Sequence, residues 1–377
     1  MSRVLFVSEN IGGHATMHRH IRSALERDRP DVQAEFIEAE PRSAMRRVAG
    51  AAVPGLGRLD LDLASLRGQL AASVHLRRRL PRLEEYDALH VYTHHAAIAW
   101  ADELRRLPSI VSLDATGAQT SVLLPYRRPT RYTKLSSSPA RRLEARVYDR
   151  AAVVVAKSQW AAASLADDYG LDPARVRVIP YGITLPAGRA GERRQPPPEP
   201  TVVFVGRSME RKGGWRLLSL WRRYLRDRCR LLLITPEHVP PEPGVEVLRS
   251  LAPGDMAMFD ALAGASVMAF PSEMDTFGYA PIEAMAVGVP VVAYAQGATP
   301  EVVRDGETGT LVPPGDEESF ANALAALLED HAMRDRMGDA GVRWVRQRFD
   351  ASVTTAALVT LMEEVVHGRT RTGSGVR

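Results

Sequence analysis

Short apolar runs alternate with helix-length amphipathic segments along the whole chain. Residues 4–7, 88–92, 110–113, 152–156 and 177–179 are short, rich in β-branched side chains and bounded by polar or turn residues, which predicts buried strands. Between them, residues 16–27, 96–106, 140–150 and 158–168 set apolar side chains three and four apart, as helices do. A break follows at 184–200, where Gly, Arg and the run Pro196-Pro197-Pro198-Glu199-Pro200 can continue neither a helix nor a central strand. The alternation then resumes, with strands expected at 201–205, 230–234, 245–248, 267–270 and 290–294 and helices at 214–226, 254–263 and 279–286. Helices near 317–329, 333–348 and 351–367 close the chain before a Gly-, Ser- and Arg-rich tail, 369–377, expected to be disordered. Such alternation implies an α/β protein with two doubly wound, Rossmann-like domains, 1–183 and 201–350, joined by the Pro-rich linker 184–200. In pairs of this kind ligands bind where the C-terminal ends of the strands face one another across a cleft. The closing helix, 351–368, is expected to pack back on the first domain.

Composition sharpens this without changing it. With 377 residues, 45% apolar and 25% charged, the chain suits two soluble domains and excludes wholesale disorder or a fibrous architecture. No apolar stretch approaches the roughly 18 residues of a membrane span, and the first apolar run breaks at Glu9-Asn10, as a strand would and a signal peptide would not. A lone cysteine, Cys229, permits no internal disulfide and points to a reducing, cytoplasmic interior. The net charge of +4 is unevenly spread. Residues 1–180 carry 27 Arg and Lys against 20 Asp and Glu; the remainder carries 22 against 25. The basic excess therefore belongs to the first half, where Arg46-Arg47, Arg77-Arg78-Arg79 and Arg127-Arg128 are interleaved with Leu, Val and Ala. No recognised module or aromatic platform accompanies them, so nucleic-acid binding is not expected.

Candidate chemistry gathers at the ends of the expected strands. Gly12-Gly13 follows the first, and Gly206 ends the first strand of the second domain, so backbone there can approach an anion closely. Neither loop spells Gly-x-Gly-x-x-Gly or a P-loop, and each Gly is also explained by a tight strand–helix turn. In Gly206-Arg207-Ser208-Met209-Glu210-Arg211-Lys212-Gly213, two cations either converge on a diphosphate or decorate a solvated loop. The segment Asp275-Thr276-Phe277-Gly278-Tyr279-Ala280-Pro281-Ile282-Glu283 puts a helix N-terminus between two carboxylates eight residues apart. Asp275 is equally an N-cap. Glu283, in the otherwise small and apolar turn Glu-Ala-Met-Ala, needs partners such as vicinal ribose hydroxyls, unless it is merely exposed. Two metal readings fail: Asp60-Leu61-Asp62 does not follow a buried strand, and His14 and His18 lack a completing carboxylate.

These residues resemble the retaining, family 4 glycosyltransferases of the GT-B fold. The likeness rests on Gly12-Gly13, Gly206-Arg207…Lys212-Gly213, Phe277-Gly278…Glu283-Ala284-Met285-Ala286, Gly288-Val289-Pro290 and Gly306-Glu307-Thr308-Gly309. It implies a UDP- or GDP-sugar donor, with Gly13 near it, Arg207 and Lys212 on the diphosphate, Glu283 on the ribose, and the amides of Thr276, Phe277, Gly278 and Tyr279 on phosphate and sugar. It implies no cofactor and no metal. Asp275 stands where the family has a glutamate, one methylene longer. Asp114 stands where many members place a His after the strand 109–113, and either meets a substrate hydroxyl or caps a turn. His14, His94 and His95 are acceptor-side candidates, though a structural role explains the last two as well. The acceptor, a small molecule, a glycan or a lipid-linked species, would sit on the first domain, whose basic, apolar surface either is an ordinary solvated helix face or makes peripheral contact with the inner face of a membrane. Retention would proceed by front-face substitution without a protein nucleophile. An epimerase or hydrolase of the same fold and an inactive sugar-nucleotide-binding protein are the alternatives.

Overall fold

The computed structural model describes residues 3–9, 13–39, 44–53, 55–56, 63–123, 130–186, 199–273 and 275–373. The chain forms two compact units, Met1–Gly182 with Ala351–Arg377, and Ile183–Asp350.

The first unit runs β1 (Arg3–Ser8), α1 (Gly13–Asp28), β2 (Gln33–Glu38), α2 (Ala44–Ala49), α3 (Ala64–Arg77), β3 (Ala88–Tyr92), β4 (Ser109–Leu113), α4 (Gly117–Leu123), α5 (Thr133–Arg150), β5 (Val153–Ala156), α6 (Gln159–Asp167) and β6 (Val176–Val178). Its six strands are parallel in the order β2-β1-β3-β4-β5-β6. The central strands read as unbroken apolar runs because helices cover both faces of the sheet, and Leu5, Val7, Leu89, Val91, Val111 and Val154 are fully buried.

The second unit runs β7 (Thr201–Val205), α7 (Gly214–Leu220), β8 (Arg230–Ile234), β9 (Val245–Leu248), α8 (Met256–Ala263), β10 (Val267–Phe270), α9 (Tyr279–Ala286), β11 (Val291–Tyr294), α10 (Thr299–Val302), β12 (Gly309–Val312), α11 (Glu317–Glu329) and α12 (His331–Arg348). Its parallel order is β12-β11-β10-β7-β8-β9. Asp316 and Asp330 cap α11 and α12, accepting from the amides of Ser319 at 3.0 Å and Met333 at 2.8 Å. Trp221 is fully buried beside Cys229, whose carbonyl accepts from its Nε1 at 3.0 Å. Burial pushes the Cys229 thiol up to about 11, so it is an inert core residue. A last helix, α13 (Ala351–Gly373), returns to the first unit, where Glu363 accepts from Arg29 at 2.9 Å.

Four expectations need correction. Residues 96–106 are not one helix but two 3₁₀ turns, 94–97 and 101–105, because the Trp100 backbone (φ −143°) leaves the helical region to bury its indole. The regular turns of the expected 214–226 helix stop at Leu220, and residues 221–225 wind wider around Trp221. Strand β2 had no apolar signature: Gln-Ala-Glu-Phe-Ile-Glu lies at the sheet edge and buries little. The tail expected to lose order at 369 instead continues α13 to Gly373, since nothing after Gly368 breaks a helix as proline would; residues 374–377 lie outside the described residues. Most of the linker, 187–198, also lies outside them. No helix of the described residues is long and apolar enough to cross a membrane.

Candidate active site

In the second unit the sheet winds outward in both directions from β7 and β10, which makes the gap between these neighbours the topological switch point. The loops that leave these strands carry the residues singled out above. Lys212, after β7, donates from Nζ to Oδ2 of Asp275, after β10, and only 16% and 10% of the two side chains are exposed. The ammonium also lies 5.8 Å from the centre of the Phe270 ring. Gly213 makes this pairing possible. Its φ of 76° starts α7, and a Cβ there would lie 2.3 Å from the Pro271 carbonyl oxygen, so only glycine lets the two loops touch. Gly213→Ala is expected to cost about 1–3 kcal/mol, read as a lower midpoint in urea, and to weaken nucleotide binding in parallel.

Arg207 is exposed and has no ion pair among the described residues. Gly278, with φ of 89°, starts α9. Phe277 is buried against Phe349, ring centres 5.9 Å apart, so its ring packs into the core of the unit. Thr276 and Tyr279 are half-buried beside it. Glu283 is not an exposed helix residue: it is buried in α9, and its Oε1 accepts from the Gly254 amide at 2.8 Å. Burial pushes its carboxyl up to about 7, the Gly254 amide opposing and Asp255 adding to the shift.

The first unit gathers a second cluster near its own switch point, between β1 and β3. His94 is buried and His95 is 18% exposed, their ring centres 3.9 Å apart. Both face Glu144 of α5: Oε1 lies 3.6 Å from His94 Nε2 and 3.4 Å from His95 Nε2. The other oxygen, Oε2, accepts from the Gly117 amide at 3.2 Å and from the Tyr169 hydroxyl. Burial alone would lower the His95 imidazole, but Glu144, Glu9 and Asp114 outweigh it and hold it above its ordinary value. Burial would raise Glu144, yet the two imidazoles hold it well below. His95 and Glu144 open onto a cavity of about 450 Å³, whose other walls include Gln69, Thr120, Ser121 and Arg141.

Asp114 follows β4 and is half-buried. Beside it, Lys157 lies at the end of β5, 3% exposed, with Nζ 5.5 Å from the Tyr181 ring centre and 5.9 Å from that of Tyr92. Burial pushes this lysine down to about 8, against the pull of Asp114. Lys157 and Glu144 were not singled out in the sequence, but one signal was available. Forty-six of the 49 basic residues are Arg, so a Lys directly after a strand stands out as Lys212 does. Gly13 opens α1, while Gly12, the His14 side chain and Asp60-Leu61-Asp62 lie outside the described residues. His18 is structural: it is buried, with Nδ1 3.2 Å from Glu38 Oε1 and its ring edge-on to Phe36.

The architecture has many solved counterparts. Sucrose-phosphate synthase from Thermosynechococcus elongatus superposes with a TM-score of 0.70 at 19% identity, covering 98% of this chain and 100% of that one. Anabaena HepE in complex with UDP-glucose superposes with a TM-score of 0.66 at 19% identity, covering 97% and 100%. Two doubly wound units in this topology define the class as the GT-B fold. Residues 11–185 match the family described as Glycosyltransferase Family 4, and 199–330 that described as Glycosyl transferases group 1. A D-inositol 3-phosphate glycosyltransferase of Corynebacterium glutamicum is 30% identical over 365 residues, 89% of this chain and 85% of that protein. A phosphatidyl-myo-inositol mannosyltransferase of Mycobacterium leprae is 29% identical, over 84% and 83%. The chain belongs to the family 4 glycosyltransferases.

Proposed function

We propose that this glycosyltransferase moves a sugar, with retention of configuration, from a UDP- or GDP-sugar to a polyol-type acceptor. The observation that carries the donor assignment is the Lys212–Asp275 pair at the switch point of the second sheet. A cation already at a strand end, flanked by the exposed Arg207 and the N-terminus of α9, suits a diphosphate. The diphosphate would take Lys212 from Asp275 and free that carboxylate for a sugar hydroxyl. Glu283 would accept from the ribose hydroxyls. With no protein nucleophile invoked, the enzyme contributes positioning and stabilisation of the leaving group's charge, and the donor site itself needs no metal.

The acceptor is assigned to the cavity of the first unit, where Thr120, Ser121 and Gln69 suit hydroxyls and Arg141 suits an anionic substituent. The names of the two relatives support an inositol-phosphate-type acceptor. Exposed Val48 (76%) and Met45, one turn apart on α2 with exposed Arg47 between them in sequence, support peripheral contact with an anionic lipid surface.

The test is a thermal-shift panel of UDP- and GDP-sugars, followed by donor turnover with and without polyol phosphates. A donor at 100 times its Kd adds about 2.7 kcal/mol, which is several degrees for a unit of this size, at about 2–4 °C per kcal/mol. Turnover should depend on acceptor. Equal turnover without acceptor would reassign the enzyme to hydrolysis or epimerisation, and stabilisation without product would make it a binding protein.

A further inference from the structure

We propose that His94, His95 and Glu144 bind one divalent transition-metal ion of the zinc class, with an open coordination position towards the cavity of the first unit. The three side chains offer one ligand atom each, all within 4.8 Å of one another. Ligands about 2.1 Å from a tetrahedral ion stand roughly 3.4 Å apart. Glu144 Oε1 lies 3.6 Å from one imidazole nitrogen and 3.4 Å from the other. These separations are those of a shared ion, and the first lies beyond hydrogen-bond range.

The outer contacts also fit. A ligating imidazole is usually steered by a hydrogen bond at its other nitrogen, and a ligating carboxylate by bonds to its other oxygen. His95 Nδ1 lies 3.3 Å from Thr93 Oγ1, and Glu144 Oε2 accepts from Gly117 and Tyr169. A Cβ on residue 117 would lie 2.3 Å from Glu144 Oε1, so the carboxylate packs directly against the backbone of Gly117 and a side chain there would displace it. Three carboxylates surround the two imidazoles: Glu144 in contact, Glu9 with Oε1 3.9 Å from His95 Nδ1, and Asp114 through its field. That surplus of negative charge favours a dication.

A His95–Glu144 ion pair explains less. Such a pair leaves His94, which is 1% exposed, with neither ring nitrogen hydrogen-bonded, and buried polar groups are seldom left so. A bound ion uses one of them. Two imidazoles with one carboxylate select zinc-class ions over magnesium or calcium. Three protein ligands leave a fourth position, and both His95 and Glu144 line the cavity. An oxygen of whatever occupies that cavity, a hydroxyl or a phosphate, would fill it.

The test uses the full-length protein and the metal alone. After purification without chelator and dialysis, elemental analysis should find close to one equivalent of metal per chain. Zinc titration of chelator-stripped protein should give one site, and cobalt substitution should give the visible absorption of a tetrahedral ion. His95→Gln, checked for folding by circular dichroism, should weaken zinc binding by at least about 100-fold, more than the loss of an outer contact. Tyr169→Phe, which leaves every ligand in place, should weaken it by about tenfold. No stoichiometric metal with no zinc binding to the stripped protein, or unchanged affinity in folded His95→Gln, overturns the proposal.

Discussion

Lys212→Ala is expected to lower turnover with any accepted nucleotide-sugar donor by about 10²-fold or more, the scale of losing one preorganised donor to a developing oxyanion. The charge on the leaving diphosphate grows as the glycosidic bond breaks, so the loss should fall mainly on kcat rather than KM. Lys212 is suited to this because it is largely buried and lies against Asp275 at a strand end, where water screens its charge less than at an open surface. The substitution also leaves Asp275 without its cation, so turnover must be compared well below the variant's melting temperature. Asp275→Asn removes the same ion pair and keeps the ammonium, while weakening the sugar contact assigned to Asp275. It should retain more turnover than Lys212→Ala if the lysine acts on the diphosphate. Near-wild-type turnover in Lys212→Ala would sink the donor assignment.

What could be read from the sequence follows from what the strands bury. Strands β7, β8 and β10 lie where their apolar runs do, because parallel strands covered on both faces admit few polar residues. Edge strand β2 escaped because Gln33 and Glu35 face outward and its alternation resembles a loop. The segment around Trp100 misled for the opposite reason: Ala96, Ala97, Ile98, Trp100, Ala101 and Leu104 are all buried, and a helical spacing of apolar residues can arise without a helix. The site divides in the same way. Lys212, Asp275 and Glu283 lie in two short stretches of sequence with a recognisable spelling, so local sequence exposes them. Glu144 is fifty residues from His94, in a helix dense with arginine, and reads as a solvated carboxylate until the fold turns it inward. Only topology brings α5 to the loop after β3.

Glu283 carries the second large effect, and its sign is set by burial. Its carboxyl titrates at about 7 in the folded protein against an ordinary value of 4.5, so the fold favours the protonated form. The resulting stability is fully present below about pH 4.5 and is lost as pH rises through about 7. The whole shift corresponds to about 3 kcal/mol, so the ligand-free protein should melt several degrees lower at pH 8 than at pH 5.5 on this account. Glu283→Gln keeps the shape, accepts from the Gly254 amide and cannot ionise, so it should flatten that part of the profile. Nucleotide binding should run the other way. Ribose hydroxyls donate to a carboxylate more strongly than to a carboxylic acid, so a bound donor pulls the Glu283 proton affinity down and is favoured by rising pH. The thermal shift given by a saturating UDP- or GDP-sugar should therefore grow from pH 6 to pH 8 in the native protein and stay level in Glu283→Gln. If the two proteins show the same pH dependence, with and without donor, Glu283 neither titrates in this range nor holds the ribose.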